Sequence, residues 1–172
     1  MRLQRFGILI FSSALILALP ACATSPFNKL GLEQVDRSIT YARAVQNPDA
    51  VLARQVVFGG SIIATRNLAD YTEVTVLAYP LDNTDRPNTS TSPLGRFLLV
   101  HPGYLEGVQY APGRLLSARG VLAGVQVQAL EQNTYTYPVL EARELHLWSS
   151  QDYAPRQSPL PSWLNIGIGI GL

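Results

Sequence analysis

Cysteine is almost missing from this chain: residue 22 holds the only one in 172 residues. A disulfide framework within one chain needs two, so it is excluded, and with it a zinc site built on thiolates. Histidine occurs twice, at His101 and His146, and neither lies near a G-x-S-x-G elbow or carries the spacing of a metal site. Charge is sparse. Lys, Arg, Asp and Glu make up 15% of the residues and the formal net charge is +1, which gives neither a basic patch for nucleic acid nor an acidic tail. A phosphate-binding loop is absent as well, because Gly59-Gly60 sits inside an apolar strand pattern and no Lys-Ser/Thr follows. These absences argue against an enzyme, a bound cofactor, a metal and a nucleic-acid partner.

One apolar run stands out. Residues 6–19 carry no charge and follow Arg2 and Arg5. A membrane-spanning helix needs about 20 apolar residues, so this run is too short, and Pro20 closes it. A positive start, a short apolar stretch and small residues at its end describe a secretory signal over residues 1–21. The sequence Leu19-Pro20-Ala21-Cys22 then resembles the lipobox of bacterial lipoproteins. That resemblance implies cleavage between Ala21 and Cys22 and a diacylglyceryl group on the Cys22 thiol. One acyl chain binds a bilayer only marginally, whereas two or more anchor it stably. Ala23 is not aspartate, which by resemblance to Gram-negative lipoprotein sorting implies the outer membrane. Loss of Arg2 and Arg5 takes the formal charge to −1, so anchoring owes nothing to attraction by anionic lipid.

Residues 22–46 read as a lipidated tether, polar and small at first, then a helix or an extended arm over 35–46. Asn47-Pro48 predicts a helix of roughly two turns, with Asn47 as N-cap and Pro48 at the first helical position. From Gln55 the pattern changes to a period of two. Strands are predicted at 55–64, 72–79 with Thr72, Val74, Val76 and Ala78 inward, 97–100, 115–125, and 135–148. On the last, Val139, Leu145 and Leu147 are expected on one face, with Leu140 and Ala142 on the other. Residues 82–95 read as a mobile surface loop, and 104–112 as irregular or a single helical turn. Glycines inside the strands signal sharp bends or close backbone approach. The fold class is therefore all-β: a small closed OB-like barrel of five to six strands with a short N-terminal helix over residues 47–153. A β-sandwich is the alternative, since strand count alone does not separate them. The Pro- and Gly-rich residues 154–172 read as a flexible tail.

Several segments, VVFGGSII, LAYPLDNTDRP, GRFLLVHPGYLEGVQYAPGRLLSARGVLAG and YPVLEARELHLW, together resemble the starvation-inducible outer-membrane lipoprotein family, Slp. The resemblance implies a lipid-anchored protein on the periplasmic face of the outer membrane, non-enzymatic, with a structural or stress-response role in the envelope. The alternative is a module that binds an envelope glycan or membrane protein. Tyr104, Tyr110, Arg96 and Arg114 are the candidate binding surface for that case, as aromatic and arginine side chains can stack on sugars or hold anions.

Overall fold

A computed structural model describes residues 24–130 and 133–149. The signal segment, Cys22 and the tail from 154 lie outside the described residues. The elements are α1 (Lys29–Leu32), α2 (Tyr41–Gln46), α3 (Pro48–Val51), β1 (Gln55–Asn67), β2 (Tyr71–Ala78), β3 (Gly95–Pro102), β4 (Leu115–Leu130) and β5 (Asn133–Trp148). The strands close into a barrel in the order β1-β2-β3-β5-β4. Every pairing is antiparallel except β3 with β5, which is parallel over Leu98–Val100. Closure leaves no free edge around the ring, and the order is that of an OB-like barrel.

Alternation builds the core. Thr72, Val74, Val76 and Ala78 of β2 are all buried, as the period predicts. Val74, Val76 and Ala78 meet Val56, Phe58, Ile62, Phe97, Leu99, Leu116, Leu122 and Leu140 from the other strands. Two bulges then change the parity of the β4–β5 ladder. Register shifts between Arg119 and Gly120, where Arg143 is the extra residue on β5, and between Leu122 and Gly124, where Ala123 is extra on β4. A single inserted residue moves every later side chain to the other face. Leu145 and Leu147 therefore pack on the core together with Leu140 and Ala142 rather than opposite them. The same bulge puts Glu144, His146 and Trp148 on the outer wall.

The barrel ends are plugged by the irregular 103–114 connection, as expected over 104–112, and by the short N-terminal helices. In the OB pattern a helix between the third and fourth strands closes the barrel. Here residues 103–114 form turns, and Leu105 fills that end. Its N–H donates to Thr72 Oγ1 at 3.1 Å and its carbonyl accepts from Asn67 Nδ2 at 3.1 Å. Helices α2 and α3 plug the opposite end with Tyr41, Ala44 and Val51. Helix α3 is one turn, not two, and Asn47 makes no side-chain cap; Asn47 already ends α2, which Thr40 caps by accepting from Arg43 N at 3.2 Å.

The glycines have distinct reasons. A Cβ on Gly60 would collide with the carbonyl oxygen of Leu77, and one on Gly120 with that of Glu141. Gly95, at φ +144°, leaves room for the hydroxyls of Tyr41 and Tyr135. The Tyr41 hydroxyl donates to Arg96 O at 2.9 Å, and Tyr135 accepts from Arg96 N at 3.0 Å. Burial, and then the Tyr135 hydroxyl beside it, pushes the Tyr41 phenol well above its ordinary range.

Candidate functional site

Residues 22–46 read as a tether by composition. Within them, residues 24–40 fold as a strap across the outer wall of β1 and β4. Phe27, Gly31 and Ile39 are buried. Asn28 caps α1 by accepting from Gly31 N at 2.7 Å, and its amide also donates to Glu144. Gly31 lies so close to Arg119 that a Cβ there would sit 2.6 Å from Nε. The Asp36 N–H donates to Gln55 O at 2.8 Å, which ties the strap to the start of β1.

Two buried polar clusters hold it. In the first, Arg119 of β4, 9% exposed, donates to Glu144 at 2.8 Å and to Gln55 Oε1 at 2.7 Å. The Arg119 hydrogen bond holds the Glu144 carboxyl below its ordinary range. In the second, Asp85, only 2% exposed, accepts from Arg37 through both carboxylate oxygens and from Ser25 Oγ at 2.6 Å. Its carbonyl accepts from Ser117 Oγ at 2.5 Å, and Ser117 in turn accepts from Trp148 Nε1 at 2.9 Å. The 82–95 segment is thus no mobile loop at this point. Asp82 Oδ1 accepts from Thr84 N at 2.8 Å, Thr84 Oγ1 at 2.7 Å and Arg86 N at 3.1 Å, and this turn delivers Asp85 to the strap. Both charges are paired: Arg119 through its two terminal guanidinium nitrogens, and Asp85 through both carboxylate oxygens.

The strap is also the part of the described chain nearest in sequence to Cys22. Ser25, fixed on Asp85, is three residues from it.

Of the four residues expected to form a binding surface, Tyr104, Tyr110 and Arg114 share the connection between β3 and β4. Arg96 sits at the start of β3, the length of the strand away from Tyr104. Arg114 precedes β4, whose first residue is two strand-pairings from Leu77, the partner of Arg96. Tyr104 is 68% exposed, whereas Tyr110 packs against the core and burial raises its phenol pKa. His101 pairs across from Thr72, His146 pairs across from Ser117, and the His146 ring meets Trp148 edge-on at 4.5 Å.

Residues 19–167 match the outer membrane lipoprotein Slp family. The chain belongs to that family. Curated relatives agree. A Haemophilus influenzae protein, uncharacterized, is 31% identical over 83% of this chain and 76% of its own length. The Escherichia coli outer membrane protein Slp is 26% identical over 83% and 74%, and the E. coli uncharacterized lipoprotein YeaY is 26% identical over 95% and 83%. Among solved structures, a small single-stranded DNA-binding protein from Streptomyces coelicolor aligns with a TM-score of 0.36 and 14% identity, covering 58% of this chain and 97% of that one. Schizosaccharomyces pombe Pot1pC bound to ssDNA aligns with a TM-score of 0.31 and 13% identity, over 59% and 83%. The Slp match begins at Leu19, so it takes in Leu19-Pro20-Ala21-Cys22 together with the barrel. It is an outer-membrane lipoprotein of this family that the strap and barrel build.

Proposed function

We propose that this Slp-family protein is cut between Ala21 and Cys22, carries acyl chains on Cys22, and serves a non-catalytic, structural or stress-response role on the periplasmic face of the outer membrane. The observation that carries this reading is the position of the single thiol. Cys22 follows the small residue Ala21 at the end of a short apolar run and precedes the strap. A thiol there has no disulfide partner in the chain. Acylation gives it a use, and two or more chains supply stable anchoring. A non-catalytic role is supported by the use of polar groups on the outer wall. Ser117, Asp85, Arg37, Arg119 and Glu144 direct their hydrogen bonds to one another, to the strap, and to Gln55 and Trp148 of the barrel.

The test is Cys22→Ser. The variant is expected to take up no labelled fatty acid and to remain as full-length precursor in the inner membrane, while the natural chain fractionates with the outer membrane. Normal labelling and fractionation of the variant would contradict the reading.

A further inference from the structure

The strap leaves almost no slack between anchor and body. Ser25 is bonded to Asp85, a buried residue whose carbonyl is held by Ser117 of the barrel wall, and Ser25 lies only three positions after Cys22. A fully extended chain covers about 3.5 Å per residue, so the fixed point lies within about 10 Å of the anchor residue. A domain of this size has a radius of gyration of about 14 Å. The reach is therefore shorter than the body is wide, and the body cannot stand off the bilayer or turn freely above it. The wall that carries Ser25 must face the lipid.

That wall presents suitable side chains. On α1, Gly31 faces Arg119 and Leu30 points the other way, 74% exposed. Lys29 beside it is also exposed. An exposed leucine next to a lysine suits the headgroup layer, where the apolar group enters and the ammonium stays at the level of the phosphates. The short helix is not free to withdraw, since Asn28 holds it to Glu144 on one side and the Asp36 N–H donates to Gln55 O at 2.8 Å on the other.

We infer that the strap face, with Leu30 and Lys29 foremost, is a membrane-contact surface that rests in the headgroup layer of the bilayer. The inference builds on acylation of Cys22 and adds an orientation to it. The partner is a phospholipid surface, and the contact is set by the short reach from the anchor.

The lone thiol makes the experiment direct, because an acylated Cys22 leaves no other cysteine to label. Leu30→Cys and, as a reference, Asp70→Cys in the β1–β2 turn at the far end of β1 are each spin-labelled in the lipidated protein. The proteins are reconstituted in phosphatidylethanolamine–phosphatidylglycerol vesicles, and intact mass confirms the acyl chains. The label at 30 is expected to collide with a water-soluble nickel chelate at least threefold less often than the label at 70. Inserting ten Gly and Ser residues after Ala23 is expected to raise the value at 30 toward that at 70. Equal accessibility at the two sites in an acylated, uninserted protein overturns the inference and leaves the anchoring intact. An unchanged value after the insertion overturns the argument from reach. A product without acyl chains contradicts the functional reading itself and takes the orientation with it.

Discussion

Gly60 and Gly120 sit where two strands press backbone on backbone, at the carbonyls of Leu77 and Glu141. No side chain fits there without moving a strand, and such overpacking typically costs about 1–3 kcal/mol. Gly60→Ala and Gly120→Ala are each expected to lose stability in that range, read as a lower urea midpoint with an unchanged m-value; a neutral result would contradict the close approach. The sequence exposes these glycines as strand interruptions but gives no hint of which carbonyl they admit. Asp85 was less visible still. It stands in a run of Asp, Asn, Thr and Pro that composition assigns to solvent, yet it is 2% exposed and receives Arg37 and Ser25. Its burial depends on a turn made by Asp82 and on a strap from 60 residues away, neither of which leaves a local trace. Asp85→Ala is expected to destabilise the fold by about 1–3 kcal/mol, because Ser25 and the guanidinium lose their acceptor.

At the level of elements, the strands follow from period and glycine placement, and β2 shows the alternation most cleanly. The faces of β5 do not follow. A bulge residue such as Arg143 resembles any other exposed arginine, so the parity change that brings Leu145 and Leu147 inward is hidden until the pairing is known. The same change creates the Arg119–Glu144 pair under the strap. The alternation of β4 puts Arg119 on the outer face, but its burial leaves no mark in that pattern. The N-terminal strap hides for a related reason: a segment held by its backbone and by a few polar side chains needs no periodic apolar pattern. Asn28-x-x-Gly31 after Phe27 was the available signal, a capped turn behind an apolar residue. Removing residues 24–39 is expected to cost about 3 kcal/mol or more, because the packed side chains of Phe27 and Ile39 are lost and the wall beneath them is uncovered, where a true tether would cost nothing. The strap also has a pH signature. Arg119 depresses the Glu144 carboxyl, and Ser38 with Arg54 depresses that of Asp36. A carboxyl depressed in the fold adds stability that is present above its unfolded pKa and lost as pH falls through the folded one. The urea midpoint is thus expected to fall below about pH 4, and Arg119→Met is expected to flatten that dependence. An equally steep acid loss in Arg119→Met would contradict the assignment.

For the whole molecule, barrel, strap and anchor form one sequence of constraints. The closed sheet gives a rigid wall, buried polar groups fix the strap to it, and the strap ends three residues from the single thiol. The OB-like architecture itself carries no chemistry, since such barrels host many unrelated functions. In the proposed acylated form, the folded body begins three residues after the anchored Cys22. Mass spectrometry of the N-terminal peptide of the mature protein, purified from its native membrane, tests this most directly. The account predicts a peptide that starts at Cys22 and bears a diacylglyceryl thioether. A mature chain that starts elsewhere, or one with a free thiol at residue 22, would contradict it.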